Sequence, residues 1–140
     1  MARITANPQA EADAGFDIAA PGIYPMRIEG SKNMAAITEF DSKTTAGNRG
    51  LKIRLVFADP TAVNTIKGMP AKNLGSIIDN SILISPPEKQ GKLRSLVEAA
   101  GLPWADFDTE QLEGMTVQAK VDIEEYKGEQ RNVIRRYLKP

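Results

Sequence analysis

The stretch LEGMTVQAKVDIEEYKGEQRNVIRRYLKP, residues 112–140, decides the fold, because its pattern is typical of one long β-hairpin. Val117, Ala119 and Val121 alternate with polar residues, and this period of two marks a strand with one buried and one exposed face. Residues 127–130, Lys-Gly-Glu-Gln, form the predicted turn, because a glycine there tolerates the positive φ that tight turns need.

The return strand of this hairpin has two different faces. Ile134 and Leu138 share one parity and are predicted to face the core. The opposite parity holds Arg131, Val133, Arg135 and Tyr137. A strand face made of arginines and a tyrosine is unusual as mere solvent cover, and it suits a surface that meets phosphates and bases.

Length and charge limit the classes of protein to consider. A chain of 140 residues predicts one domain with a single core. The formal net charge is zero, so any nucleic-acid site must arise from local segregation of charge. Such segregation exists: residues 42–72 carry six Lys or Arg against one acid, and residues 106–129 carry eight acids against two lysines. Solvated surface is the plainer interpretation of both patches.

The absence of two residue types excludes several kinds of chemical site. The chain contains no cysteine and no histidine, which excludes disulfides and thiolate metal sites and removes the commonest general base. No apolar run is long enough to span a bilayer, and residues 1–8 lack the apolar core of a signal peptide. We expect a soluble, cytoplasmic protein without a metal, a cofactor or a membrane partner.

The order of elements predicts a mainly β fold with one main α-helix. Residues 1–20 are predicted to be a flexible N-terminal arm, and residues 21–140 a single domain with a long loop at 58–76. Strand patterns precede and follow a helical pattern near residues 87–100. This order matches an OB-fold-like, five-stranded Greek-key barrel with its helix between strands 3 and 4, and other small β-rich folds share the same elements.

Several short segments in a fixed order resemble a known group of proteins. They are FDIAAPGIY (residues 16–24), GLKIRLVF (50–57), KLRSLVEAAGL (92–102), LEGMTV (112–117), EYKG (125–128) and NVI (132–134). This layout resembles bacteriophage single-stranded-DNA-binding proteins of replication and recombination modules, some of them catalogued only as domains of unknown function. The likeness runs from about residue 16 to residue 140.

The resemblance implies an OB-fold that binds single-stranded DNA with little sequence preference and performs no catalysis. It also implies phage replication or recombination proteins as partners, and the host bacterial cytoplasm as the location if a phage encodes the chain. Many such proteins recruit partners through an acidic C-terminal tail, whereas this chain ends in Tyr-Leu-Lys-Pro, residues 137–140. We therefore do not expect recruitment through a tail, although the acidic residues 106–113 offer a substitute.

A strand-binding surface needs cations for phosphates and flat side chains for bases. The predicted nucleic-acid contacts are Arg27, Lys43, Arg49, Lys52, Arg54, Tyr126, Arg131, Arg135 and Tyr137. Ordinary solvated cations and cross-strand packing remain the alternatives for these residues. Trp104 follows the helix, and we expect it to seal one end of the core rather than to stack on a base.

Two other classes of function compete with DNA binding. The first is a non-catalytic protein-interaction module on a small β-barrel, which the neutral net charge and the modest aromatic content favour. The second is an enzyme, but the acid pairs Asp106/Asp108 and Glu124/Glu125 lack an evident third metal ligand. We therefore expect no catalytic residue. An exposed edge strand would also permit a homodimer.

Overall fold

The computed structural model describes residues 16–30, 34–41 and 48–139. Within this part lie six β-strands and one α-helix: β1 (Gly22–Ile28), β2 (Ile37–Asp41), β3 (Arg49–Phe57), β4 (Ile77–Leu83), α1 (Gly91–Ala99), β5 (Thr116–Tyr126) and β6 (Glu129–Leu138). Short 3-10 turns occupy Pro60–Ala62, Pro87–Lys89 and Thr109–Leu112. The predicted mainly β architecture with one main helix is confirmed.

All of these strands belong to one antiparallel sheet, in which β3 has neighbours on both sides. One side of β3 pairs with β4, while the other side pairs with β2 and then with β1. From β1 the sheet continues to β5 and then to β6. The strands β4 and β6 therefore end the sheet on opposite sides, and a side-chain hydrogen bond between Asp79 and Tyr137 brings them together.

The described part has six strands where the sequence predicted five, because the first strand region is interrupted. β1 and β2 lie on the same side of β3, but β1 ends at Ile28 and β2 begins at Ile37. Arg54 of β3 bridges this gap, since its carbonyl accepts from the Glu29 N–H (3.0 Å) and its own N–H donates to the Ala36 carbonyl (2.9 Å). The helix consequently follows the fourth strand in chain order rather than the third.

The alternation of apolar and polar residues along the strands produces the core. Leu51, Ile53 and Leu55 of β3 are fully buried, while the residues between them are only partly covered. β1 and β5 contribute Met26, Ile28, Val117, Ala119 and Val121 to the same core. Apolar burial on one face of β1, β3 and β5 stabilises the sheet.

Helix α1 packs against β4, β5 and β6. Leu93, Leu96 and Val97 recur at helical spacing and are buried, as the sequence predicted. Gly101 follows the helix with φ of 78°, a conformation that glycine adopts without steric cost and that commonly ends helices.

Of the predicted flexible arm, residues 1–20, residues 1–15 lie outside the described residues, while residues 16–20 contact distant parts of the chain. Ala19 is fully buried, and its backbone forms two hydrogen bonds with the side chain of Asn132 (2.8 and 2.9 Å). The adjacent Ala20 donates to the carbonyl of Asn64 in the long loop (2.8 Å). Pairing with distant residues, which local composition does not reveal, holds this segment in place.

Candidate nucleic-acid interface

A broad groove of about 1480 Å³ separates β4 from the β5–β6 hairpin. No ladder joins β4 to β6 among the described residues, although side chains of the two strands meet at the Asp79–Tyr137 hydrogen bond. Ile78 and Asn80 line the groove from β4, and Val133 lines it from β6. Phe16 and Lys52 also line it.

Polar side chains meet around the buried Asp79. Lys92 and Tyr137 contact its carboxylate, and we call these three residues the buried cluster. Asp79 and Lys92 line the groove. The Tyr137 hydroxyl donates to Asp79 Oδ2 (2.7 Å), and Lys92 Nζ lies 2.9 Å from the same oxygen. Lys92 also donates to the backbone carbonyl of Ile134 (2.8 Å). Because Lys92 belongs to α1, Asp79 to β4 and Tyr137 to β6, the cluster ties three elements together.

The buried cluster keeps its charged carboxylate partnered. Asp79 is only 4% exposed, and a buried carboxylate persists only when hydrogen bonds and a cation replace its water. Burial, followed by the negative charge of Asp79, raises the pKa of Tyr137 well above its ordinary value. The phenol is therefore neutral at physiological pH and acts as a hydrogen-bond donor.

The prediction that Tyr137 contacts nucleic acid was wrong, because Tyr137 is 4% exposed. The cause is a β-bulge in the hairpin: Val121 pairs with Ile134 and Lys120 pairs with Arg136, so Arg135 has no partner of its own. One extra residue inverts the parity of the strand beyond it. Tyr137 therefore turns towards the core instead of sharing a face with Arg135.

Arg131 and Arg135 remain exposed along the groove, but each faces carboxylates of β5. Arg135 Nε lies 3.3 Å from Asp122 Oδ2, and Glu124 lies 3.7 Å from Arg135 and 3.8 Å from Arg131. The Ile123 backbone N–H and then Arg135 lower the pKa of Asp122. We call these contacts of Arg131 and Arg135 with Asp122 and Glu124 the hairpin ion pairs.

The two predicted cations of β3 have different surroundings. Lys52 lines the groove, is partly exposed, and forms no ion pair with any residue that the structure describes. Arg54 does not line the groove, and its guanidinium donates to the sulfur of Met34 (3.1 Å). Of these two, Lys52 is the cation open to a ligand in the groove.

The remaining predicted contacts lie elsewhere or outside the described residues. Arg27 pairs with Glu29 (2.6 Å) and Arg49 pairs with Glu39, and neither arginine lines the groove. Lys43 and the side chain of Tyr126 lie outside the described residues. Around the groove, the structure thus brings together Lys52, Arg131 and Arg135.

The sequence patterns did not identify Phe16 as a groove residue, nor Asp79 and Lys92 as members of the cluster with Tyr137. A signal for Asp79 existed, because in the segment IIDNSIL it shares the parity of the buried Ile77, and an acid on the core side of a strand requires partners. No comparable signal existed for Phe16. Its position depends on the ring lying against Gly75, fifty-nine residues further along the chain.

Other features of the described part bear on the competing functions. Its residues include no group of three or more acidic side chains that could hold a metal ion. No helix within these ranges is both long and apolar enough to cross a membrane. Trp104 stacks on Phe107 with 5.4 Å between ring centroids and packs against the core, which agrees with the expected sealing role.

Four kinds of group therefore line the groove. Asp79 is paired with Lys92, and Arg131 and Arg135 face carboxylates along the hairpin. Lys52 has no ion pair among the described residues, and the ring of Phe16 is exposed. No family model matches this chain, and no curated protein sequence matches it.

Proposed function

We propose that this chain is a non-catalytic single-stranded-DNA-binding protein of a phage-type replication or recombination system, built on an OB-fold. The strand pairing supports the fold. If β1 and β2 count as one interrupted strand, five strands follow each other in the order of a Greek-key barrel, with the helix between the third and the fourth. The Asp79–Tyr137 hydrogen bond lies where such a barrel would close.

The observation that carries the proposal is the open groove beside β4, which Lys52 lines from β3 and Arg131 and Arg135 line from the hairpin. A single strand needs a track of cations, and these side chains come from both sides of the groove. Carboxylates line the same groove, and the Glu124 carboxylate already contacts both arginines. We therefore expect few phosphate contacts and a moderate dependence of affinity on salt.

The test is fluorescence anisotropy of a labelled poly-thymidine oligonucleotide, titrated with the protein over a series of salt concentrations. Two or three phosphate contacts predict a slope of log affinity against log salt of about −1.4 to −2.1. An unlabelled duplex of equal length serves as competitor and is expected to compete poorly. No binding at low salt, or preference for the duplex, would contradict the proposal.

Lys52→Ala tests the groove itself. We expect weaker binding to every sequence, with a salt slope smaller in magnitude by about 0.7, because one phosphate contact is lost. Lys89→Ala is the matched control, since Lys89 is an exposed lysine that does not line the groove. If Lys52→Ala and Lys89→Ala reduce the affinity equally, the binding surface lies outside the groove.

A protein-interaction module is the second candidate, and exposed apolar side chains favour it. Ile23, Ile66 and Met69 are 57%, 45% and 59% exposed, and none of them lines the groove. Under this alternative, the oligonucleotide titration is flat at low salt. A partner protein would then be retained by the wild-type chain and lost with Ile66→Asp and Met69→Asp.

A further inference from the structure

Phe16 differs from the other aromatic residues in its exposure. Its side chain is 59% exposed, whereas every other aromatic side chain that the structure describes is buried or partly buried. An exposed phenylalanine does not stabilise a core, but it offers a flat surface to a ligand. Phe16 also lines the groove, so this surface is in contact with the proposed binding space.

The ring of Phe16 is held in position although it is exposed. It lies against Gly75 so closely that a Cβ added at that glycine would come within 2.8 Å of the ring Cγ. The absence of a side chain at Gly75 therefore lets the ring rest on the backbone that leads into β4. One part of the ring is supported by this contact while much of its surface stays open.

The residue after the ring anchors the segment. The Asp17 N–H donates to the Asn73 carbonyl (2.8 Å), and the Asp17 carboxylate accepts from the backbone N–H groups of Lys72 (2.7 Å) and Asn73 (2.9 Å). The N–H groups of Asn73 and then Lys72 lower the pKa of this carboxyl. The segment around Phe16 is thus ordered before any ligand arrives, which reduces the entropy lost on binding.

The groove also contains a cation, Lys52, at a distance from the Phe16 ring that one bound strand could span. Gly75 lies just before β4, while Lys52 lies across from the β4 bulge at Asn80 and Ser81. Five residues of extended chain separate Gly75 from Asn80, which corresponds to about 17 Å. A ligand along β4 would therefore meet an aromatic surface at one end and an ammonium group at the other. An aromatic surface combined with a cation is the chemistry that binds unpaired bases and their phosphates.

We propose that Phe16 is a stacking site for one unpaired nucleobase, and that the single strand runs along β4 from Phe16 to Lys52. This inference rests on the proposed function and specifies where the strand lies. It replaces Tyr137, which is buried, as the aromatic contact among the residues that the structure describes. Ile78, which is 43% exposed and lines the groove between these ends, supplies an apolar contact for the strand.

The experiment compares Phe16→Ala with Met69→Ala by oligonucleotide anisotropy, because both side chains are 59% exposed and only Phe16 lines the groove. Loss of one stacked base lowers the affinity by about 5-fold to 150-fold in Phe16→Ala, whereas Met69→Ala binds as the wild type does. Phe16→Tyr keeps a ring and is expected to restore binding, whereas Phe16→Leu is not. Thermal unfolding of each variant verifies that it folds.

Oligonucleotides with a single abasic position then identify the stacked base. At one position, the missing base weakens binding to the wild type but not to Phe16→Ala. If the wild type binds and Phe16→Ala binds equally well, or Phe16→Leu binds as well as Phe16→Tyr, this inference fails and the proposed function stands. If the wild type binds no single strand at low salt, the proposed function fails, and this inference fails with it.

Discussion

The buried cluster and the hairpin ion pairs both join carboxylates to cations, but they differ in their exposure to water. In the buried cluster, Lys92 Nζ lies 2.9 Å from Asp79 Oδ2, and the two side chains are 20% and 3% exposed. In the hairpin ion pairs, the distances are 3.3–3.8 Å and the side chains are 37–56% exposed. Both sets contribute residues to the lining of the same groove, and they differ strongly in burial.

Burial decides which set stabilises the fold and which set can exchange partners. Removing one member of a buried pair leaves an uncompensated charge, which is costly because little water can replace the lost partner. Exposed pairs contribute little to stability because water and salt compete with them. The hairpin arginines can therefore exchange a carboxylate for a phosphate at low cost, whereas Lys92 cannot.

The largest expected effect is that of Lys92→Met on stability. This substitution removes the cation that faces the buried Asp79 carboxylate, and we expect the free energy of unfolding to fall by about 3–5 kcal/mol. Urea denaturation measures the change, with Lys89→Met as the control for an exposed lysine. A loss no greater than that of the control would show that the cluster does not hold β4 and β6 together.

Tyr137→Phe is expected to have the next largest effect. It removes the hydroxyl that donates to Asp79 but preserves the volume of the ring, so the loss should be about 1.5–3 kcal/mol. Tyr24→Phe is the comparison variant, because the Tyr24 hydroxyl donates to a neutral carbonyl, that of Ala20. A greater loss for Tyr24→Phe would contradict the importance assigned to the charged acceptor.

Alkaline pH should weaken the fold through the same tyrosine. The folded-state pKa of Tyr137 is raised, so between its unfolded and folded pKa values the unfolded chain binds fewer protons than the folded chain. Its contribution to stability is complete below about pH 10 and is lost as the pH rises further. We expect Tyr137→Phe to reduce this fall in a series of urea denaturations. If the free energy of unfolding falls as steeply with pH in Tyr137→Phe as in the wild type, the Tyr137 phenol is in contact with water.

The smallest expected effect is that of Glu124→Gln on DNA affinity. This carboxylate faces both Arg131 and Arg135, and its neutralisation should tighten oligonucleotide binding by about twofold to fivefold, the size of one exposed ion pair. The free energy of unfolding should hardly change. Glu88→Gln serves as the control, because Glu88 is exposed and does not line the groove. Weaker binding by Glu124→Gln would show that the hairpin arginines need their carboxylates in place.

The sequence by itself determined the parts of the fold that depend on local periodicity. The alternation in β3 and β5 and the helical spacing of Leu93, Leu96 and Val97 correctly identified the buried faces. These predictions succeed because each residue's burial follows from its neighbours two, three or four positions away. The partly exposed position of Lys52 and the exposed positions of Arg131 and Arg135 follow from the same local patterns.

Only the tertiary structure decided the positions that depend on partners distant in the chain. The bulge at Arg135 is visible only when β6 is paired with β5, and it turns Tyr137 inward to a carboxylate 58 residues away. Phe16 lies at the groove only because the chain near Gly75 returns to it. A pattern read along one strand contains no information on register shifts or on which distant segment packs against it, and these two features determine which aromatic ring lines the groove.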